Sequence, residues 1–339
     1  MSATLRSPKS LADAGLFAPE RVAALDAVAE RYAVAVTPAM LRLIEPGDAG
    51  DPIGRQFVPD ERELTILPDE LADPIGDEAH SPVRGIVHRY PDRVLLTPTL
   101  ACATYCRFCF RREQVGPGAD AMLTRAELAA ALDYIRTHDA IWEVILTGGD
   151  PLVLSPRRIG EIMAALGEMA HVKVVRIHTR VPAVAPERIT PALVAALKRS
   201  GKASYVALHA NHPRELTPKA RAACARLIDA GIPMLSQTVL LRGVNDDAEV
   251  LATLMRAFVE TRIRPYYLHQ LDRAPGTSHF RVPIEEGQAI MRLLRGRVSG
   301  LCQPTYIFDI PGGAGKVPIG PGYLSERTVE DPNGGVHPI

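Results

Sequence analysis

From Arg93 onward, short apolar runs of β character alternate with longer segments in which apolar positions recur at helical spacing. The runs are Arg93 to Leu100, Glu143 to Thr147, Val174 to Thr179, Ser204 to His209, Met234 to Leu241 and Pro265 to Leu271. Helical patterns lie between them at Thr124 to His138, Pro156 to Met169, Pro191 to Arg199, Pro218 to Ala230 and Ala248 to Glu260, and Ile284 to Arg297 follows the last run. Several of these open on Ser or Thr, or carry Pro in the first turn, as helix starts do. Six β-α units in series predict an α/β fold whose parallel sheet, joined by right-handed crossovers, curves into most of a barrel. In such barrels chemistry gathers at the C-terminal ends of the strands.

The flanks read differently. Helical patches at Pro19 to Val34 and Pro38 to Ile44 give way to irregular sequence punctuated by Pro46, Pro52, Pro59, Pro68 and Pro74. Residues 1–92 are therefore expected to form a helical and irregular extension that wraps the core at 93–299, and residues 300–339 form a Gly- and Pro-rich C-terminal segment. With 47% hydrophobic and 23% charged residues and no apolar run near eighteen residues, the 339-residue chain is expected to have no membrane span. Its 39 basic and 39 acidic side chains cancel without forming blocks, so no nucleic-acid or lipid partner is expected. Five cysteines, three of them clustered, with no secretory apolar stretch near the start, point to a reducing cytoplasm. Cys224 and Cys302 are expected to act as small buried apolar residues.

The clustered three stand in Cys102-Ala-Thr-Tyr-Cys106-Arg-Phe-Cys109, directly after the first expected strand. Thiolates so spaced can hold three corners of a 4Fe-4S cluster and leave the fourth iron open. Zinc is the plainer alternative, but a closed zinc site takes four ligands, usually from two Cys-x-x-Cys pairs, and no second pair occurs. Lys316 ends the stretch Asp309-Ile-Pro-Gly-Gly-Ala-Gly-Lys, where glycine lets the backbone approach another group closely. Taken alone, Lys316 reads as a solvated charge, Arg89 and Arg93 as a surface pair, and Gly148-Gly149-Asp150 as a strand-to-helix turn.

Together, however, His88-Arg-Tyr-Pro-Asp-Arg93, Cys-Arg-Phe-Cys-Phe-Arg-Arg, Thr147-Gly-Gly-Asp150-Pro, Asn211-His-Pro, Leu240-Leu-Arg-Gly-Val-Asn245-Asp, Pro265-Tyr-Tyr-Leu-His and Pro311-Gly-Gly-Ala-Gly-Lys316 resemble the lysine 2,3-aminomutases of the radical S-adenosylmethionine superfamily, from about Asp73 to Tyr323. The resemblance implies a radical-SAM partial (β/α)6 barrel and an isomerase that moves the α-amino group of L-lysine to C3. It implies that Cys102, Cys106 and Cys109 ligate a 4Fe-4S cluster whose open iron binds S-adenosylmethionine, and that Gly148, Gly149, Asp150 and Gln237 help hold that cofactor. Lys316 would join its amine to pyridoxal 5'-phosphate, whose phosphate Arg89 and Arg93 would bind with guanidinium forks. Arg111 would take the substrate carboxylate, and Asp272 and Asp309 its distant ammonium, a charge filter that favours lysine over glutamate.

His209 and His212 read equally as groups at the site mouth and as core or capping residues. The C-terminal cysteines that bind structural zinc in clostridial-type relatives do not occur here, so zinc-mediated assembly is not expected, although a homodimer or higher homo-oligomer is. An electron donor such as flavodoxin or ferredoxin is the other implied partner. The alternatives are the same migration on arginine or glutamate, lysine isomerisation in the service of elongation factor P modification, and, from another class, a non-catalytic iron-sulfur protein. That last reading leaves the glycine-loop lysine without a use.

Overall fold

The computed structural model describes residues 3–339. A nine-stranded sheet runs in the order β1 to β9: Ile86–Tyr90, Arg93–Thr99, Glu143–Gly148, Val174–Thr179, Ala203–His209, Met234–Val239, Ile263–His269, Thr305–Ile310 and Gly315–Pro318. The six expected strands are β2 to β7, each within about two residues of its sequence bounds. They pair in parallel, and β8 extends the parallel set. Antiparallel β1 and β9 then flank the two edges. Three strands of this sheet were thus not foreseen, because β1 and β9 bury too little to give an apolar run and β8, itself apolar, sits inside a segment read as a whole from its Gly and Pro; a separate two-stranded sheet of Thr328–Glu330 and Val336–Pro338 was not foreseen either.

Between strands, the helices form where the sequence caps them. In Pro156–Gly167, Ser155 accepts from the N–H of Arg158, Pro156 stands at the first position, and Ile159, Ile162, Met163 and Leu166 are buried. That i, i+3, i+4, i+7 stripe faces the sheet. Each such side chain contributes about 1.5–3 kcal/mol on burial. The two edges of this nearly closed barrel are not paired, but the N–H of Lys316 on β9 donates to Tyr90 Oη on β1 at 2.9 Å. Nearby, Gly76, at φ +67°, approaches Gly312 so closely that a Cβ there would stand 2.7 Å from the Gly312 carbonyl carbon.

Apolar residues of the N-terminal extension enter the same core as the barrel, with Leu25, Met40, Ile53 and Phe57 fully buried. A short helix at Pro8–Asp13, capped by Ser7, also precedes the two patches seen in the sequence. Among the described residues no helix is long and apolar enough to cross a membrane.

Candidate active site

A cavity of about 630 Å³ opens inside the barrel, lined by all the candidate residues: Cys102, Cys106, Cys109, Gly148, Gly149, Asp150, Gln237, Arg89, Arg93, Arg111, Asp272, Asp309 and Lys316. Its walls come from the inward faces of the strands. On β4, Arg176 and His178 alternate with buried Val175 and Ile177, so the polar residues of an otherwise apolar strand point inward.

The cysteine loop leaves β2 and is gripped from both sides. The N-terminal extension supplies carbonyl acceptors: Ala35 for the Thr104 hydroxyl at 2.6 Å and Gln56 for the N–H of Arg107 at 2.9 Å. From the barrel, the N–H groups of Gly149 and Asp150 donate to the carbonyls of Thr99 and Ala101 at 2.7 and 2.9 Å. Gly148 sits at φ +101°, and a Cβ on Gly149 would meet the Ala101 carbonyl oxygen. The glycine pair therefore lets the end of β3 lie against the root of the loop. Asp150 spends its carboxylate locally, accepting from the N–H of Arg180 and the hydroxyl of Thr179 at 2.7 Å each and from the N–H of Leu152 at 3.0 Å.

Burial first, then the charge of Asp150, pushes the Cys102 thiol well above its usual range, and burial with Cys106 nearby raises Cys109 to about 11. Such thiols stay protonated until a metal displaces the proton. Arg180 Nη1 stands 2.8 Å from Cys106 Sγ, itself held by Gln56 at 2.5 Å and Glu215 at 2.7 Å. Among the described residues no group of three or more His, Cys, Asp or Glu converges on a single ion. A 4Fe-4S cluster takes one thiolate per iron, and the loop brings three thiols to the cavity. The donor set fits the cluster.

Charges of both signs occupy another part of the cavity. Asp309 on β8 and Lys316 on β9 are register partners across the hairpin, and Lys316 Nζ pairs with both Asp309 oxygens. The intervening glycines make that pairing possible, since Gly312 and Gly313 turn the chain at φ +78° and +88°. Burial opposes ionisation of Asp309, but the His269 ring, 3.7 Å away, and the Lys316 ammonium hold it at about 2. Asp272 behaves in the opposite sense: burial, followed by repulsion from Asp309, pushes it up to about 7 against the pull of Lys316 and Arg111.

Arg89 and Arg93 stand on either side of the β1–β2 turn. Arg89 bonds to the Ile75 carbonyl and to Asp77, and its buried Nε has no hydrogen-bond partner. Arg93 lies at the cavity edge, paired with Asp92 at 2.7 Å and stacked 3.8 Å over the Tyr90 ring. An orphaned guanidinium nitrogen on a residue that lines the same cavity as a lysine amine fits a group that carries both a phosphate and a carbonyl, as pyridoxal phosphate does. Gln237 on β6 lines the wall between His209 and Tyr267, its partners in register. His209 lies in the cavity wall, while His212 caps the turn at Pro213–Glu215, accepting from the N–H of Arg214.

Sequence reasoning missed Asp77, Tyr90, Arg176, His178, Arg180 and His269, all at the site. For Arg176, His178 and His269 a signal was present, namely polar residues at every second position of an apolar strand. For Asp77 and Arg180 there was none, since their partners are distant in the chain.

Residues 96–255 match the radical SAM superfamily and residues 291–331 match the family described as lysine-2,3-aminomutase. The chain is 45% identical over 295 residues to an L-lysine 2,3-aminomutase from Clostridium subterminale, covering 87% of this chain and 70% of that one. It is 42% identical over 310 residues to an L-lysine 2,3-aminomutase from Acetoanaerobium sticklandii, covering 91% and 74%. A glutamate 2,3-aminomutase from Clostridioides difficile is 39% identical over 303 residues, covering 89% and 71%.

Proposed function

The chain belongs to the lysine 2,3-aminomutase family of radical S-adenosylmethionine isomerases, and from that premise we propose that it moves the α-amino group of L-lysine to C3, giving β-lysine. The observation that carries the choice of substrate is the pair Asp272 and Asp309 in one cavity with Arg111. An amino acid with a cation at its far end meets two acids there and an arginine for its carboxylate. A glutamate side chain would bring a third negative charge towards the same acids, and like charges in a buried site are strongly disfavoured.

In this reading Cys102, Cys106 and Cys109 hold a 4Fe-4S cluster, Gly148, Gly149, Asp150 and Gln237 help hold S-adenosylmethionine, and Lys316, Arg89 and Arg93 hold pyridoxal phosphate. When bound, the first two supply a hydrogen-abstracting 5'-deoxyadenosyl radical and the third a carbonyl able to take up the migrating nitrogen. The chain's own residues bind, orient and exclude water. Arg111 fixes the carboxylate. Asp309, held near 2, stays ionised throughout the neutral range, while Asp272, near 7, can keep or release a proton there. Reducing equivalents come from a donor such as reduced flavodoxin or ferredoxin.

Anaerobic, reduced enzyme supplied with S-adenosylmethionine and pyridoxal phosphate should convert L-lysine to β-lysine in preference to L-arginine and L-glutamate. Faster turnover of glutamate would overturn the substrate assignment, and absence of a β-amino acid product from all three would overturn the reaction.

A further inference from the structure

One carboxylate that the proposed function leaves without a role stands between two arginines to which it gives one. Asp77 Oδ1 accepts from Arg89 Nη2 at 3.0 Å, and Oδ2 accepts from Arg111 Nε at 3.0 Å and Nη2 at 2.5 Å. Asp77 is 8% exposed and each arginine 10%, so water screens these contacts little. The acid is itself fixed: its N–H donates to Asp73 Oδ1 at 2.9 Å, and its carbonyl accepts from the Ser81 hydroxyl at 2.7 Å.

The other acids nearby are those assigned to the substrate ammonium. Arg89 Nη1 already lies 4.0 Å from Asp309 Oδ1, and Arg111 and Asp272 line the same cavity. Opposite charges at such separations inside a protein attract strongly. If Asp77 did not occupy one edge of each guanidinium, Arg89 would be drawn to Asp309, and Arg111 towards Asp272, which lines the same cavity. The groups meant for an anion would then pair with those meant for a cation.

We infer that Asp77 is a positioning residue that holds Arg89 and Arg111 off Asp309 and Asp272, keeping an anion-receiving arm and a cation-receiving arm separate within one cavity. This rests on the reading above, in which Arg111 takes a carboxylate and the two aspartates an ammonium. A doubly functional substrate needs both arms free at once, and a third carboxylate outside the substrate contacts keeps them so. Preorganisation of this kind shows as affinity for isolated fragments, because each fragment tests one arm.

The test is equilibrium binding to cofactor-loaded enzyme, without reductant, of norleucine, which has the carboxylate and lacks the distant ammonium. Asp77→Asn should weaken norleucine about 10-fold or more. Adding Asp272→Asn, which removes the acid that captures Arg111, should bring norleucine back to within about 2-fold of the parent, a coupling that a mere loss of stability would not produce. Parent-like affinity in Asp77→Asn, or no recovery in the double variant, overturns the inference. Should Asp77→Asn fail to fold, Asp77→Glu keeps the charge and should bind norleucine nearly as the parent does; a loss above about 10-fold overturns it equally. A parent enzyme that binds pentylamine as tightly as norleucine would sink the underlying reading of the carboxylate site instead.

Discussion

Asp272 sets a pH dependence that can be worked through from the structure. Its carboxyl is raised to about 7 by burial and then by Asp309, with Lys316 and Arg111 pulling the other way. An ammonium placed beside it favours the ionised form, so a proton held by Asp272 must leave when the cation binds. At pH 8 about nine-tenths of the molecules carry the carboxylate, and at pH 6 about one-tenth do. The apparent dissociation constant for L-lysine should therefore weaken about 10-fold from pH 8 to pH 6, one pKa unit corresponding to about 1.4 kcal/mol. Norleucine provides the reference, since its α-amine and carboxylate titrate like those of lysine. Equilibrium binding to cofactor-loaded enzyme should give a ratio of lysine to norleucine affinity that falls about 10-fold over this range in the parent and stays flat in Asp272→Asn. Joining Lys316 to a carbonyl removes a charge that holds Asp272 down, so the midpoint lies at or above 7, not below. The same acid acts on folding with a defined sign. Its folded pKa exceeds its unfolded value, so its contribution is present at low pH and is lost as pH rises through about 7, and Asp272→Asn should melt higher than the parent at pH 8. A flat ratio in the parent, or an unchanged slope in Asp272→Asn, would refute the assignment of this residue to the ammonium.

Three further outcomes follow from the packing. Glu63 is fully buried between Arg107 and Arg112, and Glu63→Gln should cost about 3–5 kcal/mol in urea unfolding; a loss below about 1 kcal/mol would mean that the pair is dispensable. Gly149→Ala places a methyl group against the Ala101 carbonyl, so its iron content after anaerobic reconstitution should fall below about half that of the parent, whereas Gly116→Ala, whose nearest atom would be 3.8 Å away, should load normally. Borohydride treatment of pyridoxal phosphate-loaded enzyme should fix the cofactor to the peptide containing Lys316 and should fix none in Lys316→Ala, with labelling of the variant counting against Lys316 as the attachment point.

The parallel strands were legible because a strand covered on both faces must be apolar nearly throughout, as Val144, Ile145 and Leu146 are on β3. Their helices announced themselves through Ser155, Thr190, Thr217 and the prolines that follow. Strand β9 could not be found this way, since in Gly315–Pro318 only Gly315 is buried and its register comes from the hairpin with β8. The site divides in the same manner. Residues whose chemistry is local to a motif, the three cysteines and the glycine-loop lysine, stand out along the chain. Residues whose role lies in a long-range pair do not: Asp77 meets Arg111 across 34 positions, and Arg180 meets Gln56 across 124. Periodicity and spacing carry information over a turn or a strand, and nothing in them encodes which distant carboxylate a buried guanidinium will find.

The N-terminal extension is where that blindness matters most. From composition it is a wrapping arm, yet its backbone and side chains form one wall of the grip on the cysteine loop. Ala33 and Ala35 offer carbonyls to Arg107, Thr104 and Tyr105, Gln56 bonds to Arg107 and Arg180, and Glu63 lies beneath Arg107 and Arg112. The barrel supplies the opposite wall through Gly149 and Asp150. A loop of eight residues carrying three half-buried thiols has little means of fixing its own shape, because its polar groups must find partners elsewhere. Metal binding and folding are coupled wherever the ligands are ordered by the surrounding chain. Here that chain includes the extension, so Glu63→Gln or Gln56→Ala should lower iron content after anaerobic reconstitution as a substitution in the barrel wall does, and parent-like loading in both would show that the arm is scaffold alone.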